Sequence, residues 1–138
     1  LAERAATTLR HALAGGVVLG GGAALIRAQS VLANLPASSD EERIAYQILS
    51  RALEEPLRTI VHNAGYTPGT VTEQIKGSTN GCGFDAHTGQ ATDMHQSGLL
   101  DAVVILKKAL EIAVHGAAQA LTTDVIIHHR KPQECIEP

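Results

Sequence analysis

Only three aromatic rings, Tyr46, Tyr66 and Phe84, and no tryptophan are available to this chain of 138 residues. Large rings normally supply much of the area that a core buries. Here Ala, Val, Leu and Ile have to do it alone. Hydrophobic residues still make up 44% and charged residues 18%, a balance that belongs to folded rather than disordered chains. Two architectures are compatible with a core without rings. One is an alanine-rich helical domain; the other is a piece that completes its core against further protein. The opening at Leu1, without an initiator methionine, favours the second. The length is that of one domain. A net charge of -3 and a pI near 6.1 supply no general pull toward nucleic acid or an anionic membrane. Basic residues cluster only in His128-His129-Arg130-Lys131, and no apolar run approaches the ~20 residues that span a bilayer. Cys82 and Cys135 cannot form a disulfide framework and fit no zinc spacing, so a reducing compartment is the simpler reading.

Helix signals dominate the chain. Residues 2–14 are rich in Ala, Leu and Arg, carry Glu3, Arg4, Thr7, Arg10 and His11 on one face, and end at Gly15-Gly16. Val17-Val18-Leu19 and the triplet Gly20-Gly21-Gly22 come next. An apolar run from Ala23 then reads as helix to Asn34, and Pro36 stops it. Ser39-Asp40-Glu41-Glu42 is a helix start in which Ser39 caps and Glu42 reaches back. Ile44, Ile48, Leu49, Ala52 and Leu53 recur with a 3.6-residue period, and Leu57, Ile60, Val61 and Ala64 resume it beyond Pro56. Pro56 is therefore expected to break or kink the rod. Thr67-Pro68 opens a short helix, with Thr67 as cap, that buries Val71 and Ile75 and closes at Gly77.

From Gly77 to Gly98 the period dissolves into Gly, Ser, Thr, Asn and Asp, which predicts turns and a small hairpin near 82–93. Asp101 reads as the cap of the longest helix, apolar on most faces through Leu121 and so expected to be buried on several sides. The β-branched stretch 122–128 predicts a C-terminal strand, which needs a partner. The fold class is thus mainly α, a helical bundle with a small hairpin near 82–93 and a strand at 122–128. Residues 132–138 read as a flexible tail.

Chemical signals are few. The triplet at 20–22 precedes a helix, where backbone N–H groups can meet an anion and glycine permits close approach. It matches neither the dinucleotide fingerprint nor the phosphate loop, so a tight turn between elements is the alternative reading. Asp101 is either a cap or a carboxylate able to accept hydrogen bonds from ribose hydroxyls. His128-His129 and Asp93 with His95 are of metal-ligand type, but His128 and His129 would point to opposite faces of a strand, and no metal site is expected. Neither cysteine has the setting of a nucleophile, and no Gly-x-Ser-x-Gly elbow is present.

Five blocks in order add a resemblance. Gly16-Val17-Val18-Leu19-Gly20-Gly21-Gly22-Ala23-Ala24-Leu25-Ile26 resembles the Gly-Val-Val-x-Gly-Gly-Gly-x-Ala-Leu segment of group I chaperonins, the bacterial GroEL type. The stretch from Ala52 through Pro56-Leu57-Arg58 to Gly65 resembles the family's Ala-Pro-Leu-Arg-x-Ile helix. Gly83-Phe84-Asp85-Ala86 resembles its Gly-Tyr-Asn-Ala turn, and Asp93-Met94 with Gly98-Leu99-Leu100-Asp101 its Met-x-x-x-Gly-Ile-x-Asp-Pro stretch. Leu121-Thr122-Thr123-Asp124 resembles its Ile-Thr-Thr-Glu strand. The match covers about Arg4 to Lys131.

The resemblance implies that residues 1–15 end an intermediate-domain helix and that residues 16–131 form the C-terminal half of an equatorial domain. That half supplies the adenine and ribose side of an ATP pocket. Gly21 would line the nucleotide, Asp85 and Ala86 would lie by the adenine, Leu99 would pack against it, and Asp101 would hold the ribose. Two departures stand out. Asp85 replaces an Asn and cannot donate to a base nitrogen. The family's catalytic Asp falls on Arg4, a permanent cation that cannot act as a base, so no catalytic residue is expected here. The family's Gly-Asp-Gly-Thr-Thr loop for phosphate and magnesium is not in this sequence, so magnesium would be supplied by an N-terminal half. The resemblance further implies ring-forming sister subunits, unfolded client proteins, a co-chaperonin, and a cytoplasmic or organelle-matrix setting, with no nucleic acid or membrane partner. The isolated stretch should expose apolar surface and be inactive. A divergent helical scaffold without hydrolysis is the alternative that Arg4 favours.

Overall fold

Glycine and proline fall where the elements end. A computed structural model describes residues 2–127. In chain order it contains α1 (Ala2–Gly15), β1 (Val17–Leu19), α2 (Ala23–Ala33), α3 (Asp40–Ala52), α4 (Glu55–Asn63), α5 (Pro68–Gly77), β2 (Cys82–Asp85), β3 (Gln90–Asp93), β4 (Leu100–Ala102) and α6 (Val103–Leu121). The mainly helical class with a hairpin at 82–93 is what the sequence predicted. Gly16 leaves α1 at φ +81, and its N–H closes the last turn onto the Ala12 carbonyl at 2.9 Å. Pro56 separates two helices by starting α4 in its first turn, where the missing N–H costs nothing. Ser39 Oγ accepts from Glu42 N at 3.2 Å. The Glu42 carboxylate reaches one residue further back than a capping box requires, to Ser38 N at 2.7 Å.

Ile26 of α2, Leu57 and Val61 of α4, Val71 and Ile75 of α5 and Phe84 of β2 form one buried cluster. Phe84 is the only ring inside it, and Tyr66 meets it edge-on with centroids 5.4 Å apart. Two two-stranded antiparallel ladders flank the cluster's elements in sequence. The hairpin β2–β3 pairs Cys82 with Asp93 and Phe84 with Ala91. β1 pairs with β4, Val17 opposite Ala102, Val18 opposite Asp101 and Leu19 opposite Leu100.

Several local expectations are corrected. Asp101 is not a helix cap: it lies in β4 with its backbone laddered to Val18, and α6 begins two residues later at Val103. Thr67 occupies the cap position of α5, but its side chain makes no capping bond. Residues 122–127 form no strand. Instead Thr122 N bonds Ala118 O at 3.2 Å and Thr123 N bonds Ala120 O at 3.3 Å, and the Thr123 hydroxyl donates to Gln119 O at 2.7 Å. These groups extend the end of α6 rather than start a ladder. Residue 128 and the tail expected at 132–138 lie outside the described residues.

The chain divides into two compact units between Leu106 and Lys107, so the second begins within α6. No residue of α6 is buried within this chain, and Ile112 and Leu121 are 62% and 87% exposed.

Candidate functional site

Each glycine of the triplet answers a separate constraint. Gly21 and Gly22 take left-handed backbone, φ +61 and +82, which turns the chain from β1 into α2 and which only glycine adopts without strain. A Cβ on Gly20 would stand 2.9 Å from the Leu99 carbonyl oxygen, and one on Gly22 would stand 2.8 Å from Leu57 N. Gly20 and Gly22 are therefore packed against backbone. Gly21 is not: a Cβ there would meet the Met94 methyl and the Phe84 carbonyl only at 3.6 and 3.7 Å. The tight turn expected of the triplet exists, and its middle residue leaves the backbone approachable.

The turn after β2 lies across from Gly21 through that Phe84 carbonyl. Asp85 closes it: Oδ1 accepts from His87 N at 2.8 Å and Oδ2 from Thr88 Oγ1 at 2.9 Å. The His87 amide first, and the Thr88 hydroxyl after it, hold the Asp85 carboxyl below the usual carboxylate range. Each oxygen thus accepts one hydrogen bond within the turn. Ala86 packs against the buried cluster. Gly89 ends the turn at φ +73, against the hydroxyl end of the Tyr66 ring.

Leu99 joins the same neighbourhood from β4's side. Its carbonyl accepts from Gly20 N at 2.9 Å, and its N–H donates to the Met94 carbonyl at 3.0 Å. Its side chain is 37% exposed. Asp101, two residues on, is exposed and has no hydrogen bond or ion pair from its carboxylate among the described residues. Gly21, Asp85, Ala86 and Leu99 are therefore linked by direct contacts through Gly20, Phe84 and Met94. Asp101 is tied to them by the β1–β4 register.

Other candidates separate from this group. Arg4 is exposed in the first turn of α1. Asp93 Oδ1 accepts from His95 N at 2.9 Å and Gln96 N at 3.0 Å, so it shapes the turn leading to Leu99. An open cavity of about 670 Å³ is lined by Leu19, Ile26, Arg27, Gln29, Lys76 and His95 among others, and by none of the five residues above. Sequence reading missed the parts of Asp93 and Met94. The Asp-Met pair was legible only as a block of the resemblance, because a turn-closing carboxylate and a buried thioether leave no periodic signal.

The profile of the TCP-1/cpn60 chaperonin family matches residues 2–131. The chain belongs to that family. A chaperonin GroEL of Carsonella ruddii (strain PV) is 40% identical over 125 residues, 91% of this chain and 24% of the relative, which makes this a GroEL-type chaperonin region. The chain thus spans about a quarter of the length of the curated relative. The open-state monomer of a group II chaperonin from Methanococcoides burtonii superposes with a TM-score of 0.68 at 22% identity, over 78% of this chain and 28% of that one. At that identity the likeness speaks for the chaperonin fold alone. No helix among the described residues of this chaperonin region is long and apolar enough to cross a membrane.

Proposed function

We propose that this chain is the C-terminal half of a chaperonin equatorial domain, preceded over residues 1–15 by the end of an intermediate-domain helix, and that it forms the adenine and ribose side of an ATP pocket. The observation that carries the reading is the meeting of three separate stretches, 20–22, 84–86 and 99–101, through the contacts of Gly20 and Gly21. The residues suit an adenine nucleotide. Gly21 offers approachable backbone at a helix start, where N–H groups favour an anion. Leu99 offers an apolar side chain to a base, and Asp101 a carboxylate free to accept from ribose hydroxyls. Asp85 contributes through the turn that its carboxylate closes. Triphosphate and magnesium contacts fall to residues outside this chain's matched blocks.

On this reading the whole protein is an ATP-dependent, cytoplasmic, ring-forming chaperonin that binds unfolded clients and a co-chaperonin. ATP binding by the full-length gene product tests it. Asp101→Ala is expected to weaken binding about ten- to a hundredfold, the scale of a hydrogen bond to a charged group. Unchanged affinity would remove Asp101, and with it the ribose side, from the pocket.

Arg4 favours a second reading, a chaperonin-derived scaffold that binds nucleotide without hydrolysing it. An arginine can stabilise phosphate charge but cannot activate water. Steady ATP hydrolysis by the wild-type protein would exclude this reading. Hydrolysis gained only on Arg4→Asp would establish it.

A further inference from the structure

Three stretches that meet at one place need something to set the spacing between them, and Met94 lies against Gly21, against Gly83 just before the second stretch, and against Leu99. Its N–H donates to Gly81 O at 2.9 Å, and its carbonyl accepts from Leu99 N at 3.0 Å. Its backbone therefore ties the start of β2 to the approach to β4. Its side chain is 1% exposed and runs across β2 to the glycine turn. A Cβ on Gly83 would lie 2.6 Å from both Cγ and Sδ of Met94, and one on Gly21 would lie 3.6 Å from its Cε. Gly83 is not among the glycines with positive φ, so its backbone would accept a side chain. What forbids one is the methionine crossing it.

An unbranched thioether suits this path. It is slender at Cγ, where β2 must let it pass, and reaches one atom further than leucine to support the turn. We propose that Met94 is the positioning residue of the candidate nucleotide pocket: its side chain fixes the gap between the Gly21 turn and Gly83, the residue that leads into Phe84–Asp85–Ala86, and its carbonyl fixes Leu99. It touches no nucleotide itself. The inference rests on the nucleotide reading above, and its test separates the two.

ATP affinity and thermal midpoint are measured together on the full-length gene product. Met94→Leu conserves volume, a change that cores tolerate, but it removes Cε and branches where Gly83 lies. It is expected to raise the Kd for ATP roughly tenfold while the midpoint stays within about 4 °C of wild type. Gly83→Ala presses on the same Sδ and is expected to weaken binding similarly. The double variant should lose little more than either single one, because both disturb one contact. Val71→Ala, a core change on α5, is expected to lower the midpoint at least as far and leave the Kd unmoved. Should Met94→Leu fail to fold, Gly83→Ala against Val71→Ala decides the matter alone. If wild type binds ATP, Asp101→Ala weakens it, and the Met94 and Gly83 variants bind normally, the positioning role is overturned and the pocket stands. The role is also overturned if Val71→Ala weakens binding as much as they do. If wild type binds no ATP, the pocket fails and the positioning role fails with it.

Discussion

Thr72 is 1% exposed, and its hydroxyl has no hydrogen-bond partner among the described residues. A hydroxyl buried without a partner loses its water and gains nothing in return. Thr72→Val keeps the shape and removes that cost, so thermal or urea denaturation should show a gain of about 1 kcal/mol. Gly22 makes the opposite case. Its φ of +82 and the Leu57 N that a Cβ would meet at 2.8 Å make Gly22→Ala strained and crowded together. A loss of at least about 2 kcal/mol is expected in the same measurement. At this scale the sequence was partly legible. Three consecutive glycines announce a turn, but only the neighbouring backbone of Leu57 and Leu99 distinguishes the two that must stay small for packing from the one left open. Asp101 shows the limit more sharply. As a residue type before an apolar run it reads as a cap, and only its distant partner Val18 makes it a strand residue.

Among the elements, one polar cluster binds α2, α4 and α5. Glu54, at the start of α4, pairs with Lys76 of α5 at 2.7 Å and accepts from Gln29 of α2 at 3.1 Å. Lys76 first, and Gln29 after it, hold the Glu54 carboxyl below its ordinary range, and Glu54 raises Lys76 in turn. A carboxylate whose pKa falls on folding stabilises the fold above its ordinary value of about 4.3 and ceases to as pH drops through the lowered one. The raised lysine stabilises below its ordinary value of about 10.4, and that contribution is lost as pH rises through the raised one. The pair should therefore act fully between about pH 5 and pH 10. Glu54→Gln is expected to cost about 1 kcal/mol at neutral pH, modest because the pair is partly exposed. It should also flatten the decline of wild-type stability in acid, read from denaturation midpoints across pH. Helices stopped by Gly16, broken by Pro56 and started by Ser39 were readable because each signal is local. β1 and β4 were not: three residues are too few to show alternation, and each strand exists only because the other does. The stretch 122–127 errs the other way, with strand-forming residues that form no ladder among the described residues.

For the molecule as a whole, the described residues leave apolar side chains uncovered at both ends of the chain. Leu13 of α1 is 88% exposed, and Val125, Ile126 and Ile127 are exposed as well. Residues 1–138 made alone should therefore self-associate, with a light-scattering mass that rises with concentration; a constant monomer mass would contradict this. The same preparation should release no phosphate from ATP, since it lacks the Gly-Asp-Gly-Thr-Thr loop and carries Arg4. The scarcity of rings already pointed to a core built from aliphatic side chains, and the cluster around Phe84 agrees with it. What composition could not convey is which elements meet, because that depends on pairings between distant parts of the chain. The ladder between Val17–Leu19 and Leu100–Ala102 joins strands about eighty residues apart, and this has a bearing on biosynthesis. A ribosome adding ~5–20 residues each second leaves β1 waiting on the order of ten seconds before β4 emerges. Through that interval Val17, Val18 and Leu19 have no native mate, so the nascent polypeptide is most open to mispairing just before its own synthesis closes the gap.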